Sequence, residues 1–220
     1  MDANWERLRP ILFEAIGTTI YLVGVTFVVA GVLGLALGTA LYTTRKGGLL
    51  ANAPVYLVLN VLVNIVRPIP FIILLAALGP VTLEVVGTTI GSEAALFVMI
   101  VAATFGIARI VEQNLVTVDP GVIEAARAAG AGPLRIILTL LIPEALGPLI
   151  LGYTFVVIAI VDMSAMAGTV GGGGLGDFAI TYGYQRFQWE VTLVAVLIII
   201  AGVQGVQFFG NWLARKVLRR

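Results

Sequence analysis

The chain contains no cysteine and no histidine, and charged residues make up only 11% of its 220 positions. The missing cysteine removes disulfides and thiol nucleophiles, and the missing histidine removes imidazole as a general base. Together they exclude the usual soft-metal ligand sets. A net charge of +1 leaves no basic excess with which to hold nucleic acid. No long polar linker or clear internal repeat is visible either, so residues 1–220 are expected to form a single membrane domain.

What is present is apolar: 60% hydrophobic residues and a mean hydropathy of +1.06, far beyond the needs of a soluble core. Strand-like alternation is lacking, so an all-α polytopic membrane protein is expected rather than a barrel. Five stretches, 16–42, 54–78, 93–116, 146–168 and 191–213, approach the length that spans about 30 Å of hydrocarbon. The first is too long for a signal-peptide core, and the N-terminal region is expected to be retained as a helix. Arg45 and Lys46 follow the first stretch, Arg127 and Arg135 the third, and a basic cluster the fifth. These segments should face the cytoplasm, with the N-terminus outside and the C-terminus inside.

The segment 119–145 is unlike a plain loop. Asp119 before Pro120 reads as an N-cap and first helical residue, an alanine-rich helix follows, and Gly130 stops it. Glu124 is expected near the helix start, where its charge favours the positive dipole end. The apolar strip from Arg135 to Pro143 is too short to cross and should lie along the membrane surface. An interfacial amphipathic helix with no partner would explain the same pattern.

Glu124-Ala125-Ala126, Gly130 and an aliphatic strip ending in Pro143 resemble the cytoplasmic "EAA" loop of ABC importer permeases. The strip departs slightly, with Leu140 and Ile142 exchanged relative to the usual order, a volume-conserving swap. "RPIPFIILLAALGP" at 67–80 and "SAMAGTVGGGGLGDFAITYGYQRF" at 164–187 resemble the methionine-type permeases over nearly the whole chain. The resemblance implies a type I ABC importer permease fold with five transmembrane helices in a bacterial cytoplasmic membrane. It also implies a second copy of the permease, an ABC ATPase subunit dimer gripping the loops and an extracytoplasmic substrate-binding lipoprotein. ATP would be used by the ATPase, with no cofactor bound by this chain. The coupling residues would be Asp119, Glu124, Ala125, Ala126, Gly130 and Pro143.

Candidate path residues come from the spans. Asn60, Asn64 and Arg67 share one helical face, and polar groups in a span tend to face the bundle. Pro68 and Pro70 then remove two donors, which predicts a break. Asp162, Met163 and Ser164 lie in the fourth stretch, with Asp162 at a depth similar to that of Arg67 and a candidate to pair with it. The run "VGGGGLGDF" lacks the lysine and flanking strand of a phosphate loop, leaving a flexible turn or a non-helical docking or pore element. Tyr182, Tyr184, Phe187 and Trp189 fit interfacial anchoring. Two other classes are weighed. A self-sufficient secondary transporter or channel would need coupling carboxylates, for which Asp162 is the candidate. An intramembrane enzyme would need Ser164 as nucleophile, and no base accompanies it.

Overall fold

The computed structural model describes residues 4–218. They form helices α1 Trp5–Thr44, α2 Ala53–Val66, α3 Phe71–Ala77, α4 Gly79–Val86, α5 Ser92–Leu115 and α6 Pro120–Ala128. There follow α7 Pro133–Ile136, α8 Ile142–Glu144, α9 Leu146–Ala167, α10 Gly174–Asp177 and α11 Trp189–Leu218, with π-helical turns at Ile137–Leu141, Gly168–Gly172 and Phe178–Tyr184. The described residues contain no strand, and the all-α expectation is borne out.

Four segments are long and apolar enough to cross a bilayer: Trp5–Thr44, Ser92–Leu115, Leu146–Gly172 and Trp189–Leu218. The remaining expected span, 54–78, is a broken pair: α2 and α3 are bent by 110°, and the count reaches five only if the pair is one span. Neither half, of 14 and 7 residues, reaches 30 Å at about 1.5 Å per residue. The cause is local. Pro68 cannot donate and its ring would meet the preceding turn, and Pro70 repeats the interruption at the start of α3. The first helix starts earlier than the expected residue 16: α1 has 40 residues, about 60 Å at the helical rise. Asn4 Oδ1 accepts from the Arg7 amide at 3.3 Å, so a polar cap begins the helix before its apolar run.

The described chain divides into two compact units. One contains the chain up to Ala30, Ile69–Ala103 and Val157–Val206. Its buried cluster joins Leu8 and Ala15 of α1, Leu175 and Phe178, and Val191 and Ala195 of α11. The glycine run is packed into this unit and is not a slack turn. Gly171, Gly173 and Gly174 have φ of 84°, 71° and 82°, a region that a β-carbon disfavours. At Gly176 a β-carbon would run into the Ala165 backbone. The Leu175 amide donates to Thr19 Oγ1 of α1 at 2.8 Å.

The other unit contains Gly31–Pro68, Thr104–Val156 and the chain from Gln207. Leu41, Val63 and Ala108 are buried together in it. Gly34 and Gly38 of α1 lie flush against α5: a β-carbon at Gly34 would meet Ile107, and one at Gly38 would meet the Ala108 carbonyl and Val111. Such small residues let helix backbones approach where no water drives association. Tyr153 of α9 adds a hydrogen bond to the Gly31 carbonyl at 2.7 Å.

Candidate functional site

The segment 119–145 lies wholly in the second of these units. Asp119 caps α6 as expected: its Oδ1 accepts from the Gly121 amide at 2.8 Å, and Pro120 takes the first helical position. The far end is equally defined. Gly130 has φ of 80°, its amide donates to Arg127 O at 2.9 Å, and the Ala131 amide donates to Ala126 O at 3.1 Å. This paired pattern is a Schellman stop. Between its caps α6 has no buried residue. Its tertiary hydrogen bond runs from Arg127 Nη2 to the Gly48 carbonyl at 3.2 Å, in the turn after α1. Glu124 does not stand at the dipole end. It is in the second turn of α6, whose first turn carries no acidic side chain, and the dipole acts within the first turn. Glu124, Ala125 and Gly130 are exposed, and Ala126 is half-buried.

The following strip is helical and amphipathic. Ile136, Ile137, Leu141 and Ala145 are buried, whereas Leu134 and Leu138 are 69% and 58% exposed. The π turn at Ile137–Leu141, with the Ile142 amide bonded to Ile137 O, precedes Pro143. Proline lacks the donor for a regular turn, and a local π adjustment accommodates that loss. One rigid, unburied helix is thus held next to an anchored one.

Within the same unit lies a polar cluster that sequence reasoning found only in part. Arg109 Nη1 donates to Glu112 Oε2 at 2.6 Å, and their side chains are 16% and 11% exposed. Arg109 Nη2 donates to Asn60 Oδ1 at 2.9 Å and to Asn64 Oδ1 at 2.6 Å. Asn64 Nδ2 donates to Asn60 Oδ1 at 3.2 Å. Asn60 and Asn64 share a face as expected; Arg109 and Glu112 were overlooked, although opposite charges three residues apart in an apolar 24-residue helix are a readable signal. Arg67 is exposed, and its amide closes α2 onto Val63 O.

In the other unit Asp162 is exposed on α9, Met163 is half-buried and Ser164 is buried. Ser164 Oγ donates to the Val161 carbonyl at 2.7 Å, which occupies the hydroxyl within its own helix. Neither Arg67 nor Asp162 carries an ion pair among the described residues. Tyr184 and Trp189 meet edge to face at 6.0 Å between centroids; Phe187 is 82% exposed.

Residues 31–219 match the family described as binding-protein-dependent transport system inner membrane component. The probable D-methionine transport system permease protein MetI of Vibrio cholerae is 43% identical over 219 residues, 99% of this chain and 97% of that one. The methionine import system permease protein MetP of Bacillus subtilis is 41% identical over 180 residues, 82% of this chain and 81% of that one. The fold matches a chain of the methionine ABC transporter MetNI, solved in inward-facing conformations, with a TM-score of 0.93 and 40% identity over 96% of this chain and 98% of that one. Family match, whole-length similarity and shared fold agree: the chain belongs to the inner-membrane permease components of ABC importers, in their methionine-type group.

Proposed function

We propose that this permease subunit imports methionine or a related amino acid, and that α6 is the element through which a separate ATPase drives it. The observation that carries the reading is a helix capped at both ends that buries none of its residues. An unpacked nine-residue helix is marginal alone, so defined caps without burial make sense for a surface completed by a partner. Asp119, Glu124, Ala125, Ala126 and Gly130 form that surface, and the Pro143 turn anchors its neighbour.

The working assembly contains two copies of this chain, a dimer of ATPase subunits and an extracytoplasmic substrate-binding lipoprotein. The whole chain serves as one permease domain, and ATP is bound and hydrolysed by the partner alone. Arg45, Lys46, Arg127, Arg135, Arg215 and Lys216 support an orientation with the N-terminus out and the C-terminus in. The Asn64, Arg67, Pro68 and Pro70 region and the Asp162, Met163 and Ser164 region each contribute to the path. The similarity to D-methionine transport and methionine import permeases supports methionine as the cargo.

The test is reconstitution of the permease with its ATPase and binding protein in vesicles. D- and L-methionine uptake should require ATP. Uptake by the permease alone under an ion gradient would establish a secondary transporter instead.

A further inference from the structure

The Arg109 cluster is costly to build. A charged pair removed from water is often no more stabilising than apolar residues of the same volume, so the cluster calls for a role beyond packing. Its geometry supplies one. Glu112 stands on α5 between Arg109 and the end of the helix that leads into α6, and Nη1 of the guanidinium is fixed to it at 2.6 Å. Nη2 donates to the side-chain amide oxygens of Asn60 and Asn64 on α2, at 2.9 and 2.6 Å. A guanidinium fork resists sliding and rotation in a way that a single contact does not. Helix α2 is also packed on α1 and α5 through Val63, its only buried residue, with Tyr56 and Leu59 beside it, but apolar packing is non-directional and does not fix the helix against sliding. That helix runs directly into the Arg67–Pro70 break.

We infer that Arg109 is a positioning residue that locks α2 to α5, so that displacement of α6 is carried into the broken segment instead of being lost at the α5 surface. The inference rests on the reading of α6 as the ATPase-held element. Arg127, bonded to the Gly48 carbonyl at 3.2 Å on an exposed surface, is a weaker parallel link. The directional part of the link between α2 and α5 is polar and concentrated in Arg109, beside the apolar contact of Val63 with Ala108.

Asn60→Ala tests this, because it removes one of the two α2 anchors of the clamp, at a position outside the proposed path, and leaves the Arg109–Glu112 pair intact. Arg109→Lys is the second variant, keeping the charge beside Glu112 without a fork whose separate nitrogens reach Glu112 and α2. Each is purified with the ATPase, and hydrolysis and methionine uptake are measured together in vesicles. Spin labels on cysteines at Ile65 and Ala128 report the distance between α2 and α6 with and without nucleotide. The wild type should keep that distance nearly constant as both helices move. In the variants hydrolysis should stay within about twofold while uptake per ATP falls about fivefold or more, in the usual range of inter-site coupling, and the distance should change on nucleotide binding. Wild-type uptake per ATP and a constant distance in both variants would overturn the clamp. A parallel fall of hydrolysis and uptake at an unchanged ratio would also overturn it, marking the cluster as packing only. Absence of ATP-driven uptake by the wild type would instead refute the functional reading.

Discussion

Gly130 gives the sharpest test of α6, because its environment separates backbone strain from crowding. Nothing lies within 4 Å of a β-carbon built there, and φ is 80°. A substitution therefore costs only the left-handed conformation, about 1–2 kcal/mol for most residues and less for asparagine. Against that stand the two bonds of the stop, from Gly130 to Arg127 O and from Ala131 to Ala126 O, each worth about 1 kcal/mol net. The terms nearly cancel, so the stop should fray. A helix that buries nothing has no packing reserve to resist this, and 1–2 kcal/mol shifts the ratio of ordered to frayed helix by about five- to thirtyfold. Gly130→Asn, →Ala and →Val should thus form a graded series. Expression and span insertion should be unchanged, while ATPase recovery and ATP-driven uptake decline in the order Gly, Asn, Ala, Val. Uptake by the valine variant equal to that of the wild type would refute the reasoning. Loss of folding in all three would show that the turn supports the fold and not coupling.

Gly38→Val should lower thermal stability in detergent by about 1–3 kcal/mol, because its side chain would meet the Ala108 carbonyl and Val111; Gly106→Ala, with nothing within 4 Å, should be neutral or slightly stabilising. Since the chain has no native cysteine, single cysteines at Thr89 and Arg186 should react with an impermeant thiol reagent in whole cells and those at Lys46 and Ala128 should not; the reverse pattern would invert the orientation. A double-mutant cycle on Arg67 and Asp162 tests the pairing that their similar depth suggests: neutralising both should cost less than the sum of the single changes, and additivity within about 0.5 kcal/mol would show that the pair does not form.

Local chemistry was legible in the sequence, and long-range pairing was not. The Asp119 cap, the Gly130 stop and the Pro68–Pro70 break each depend on neighbours within a few residues, and each is found where expected. The first apolar stretch was placed only from residue 16 because Glu6, Arg7 and Arg9 lower the hydropathy, although they do not break the helix that runs from Trp5. The reach of Arg109 to α2 escaped notice because its partners there are 45 and 49 positions away, a separation that no helical period encodes. The same limit explains why Arg67 was credited with the shared face of Asn60 and Asn64, although the guanidinium that reaches those amides comes from α5. At the glycine run the sequence revealed permission for unusual angles but not their use. Only the folded chain shows which glycines spend that freedom and which are pressed against Ala165.

That run has a consequence for how the gene can vary. Every single-base change at the first or second position of a glycine codon yields a stop or an amino acid with a β-carbon. Gly171, Gly173 and Gly174 are at positive φ, and at Gly176 a β-carbon would strike the Ala165 backbone. The cost is therefore conformational at three positions and steric at the fourth. Aliphatic positions on the outer faces of the spans can exchange leucine, isoleucine and valine one base at a time with little loss. Around Gly171–Gly176 no such neutral neighbours exist, so drift in this permease should be channelled into its outer helical faces while this short stretch stays fixed.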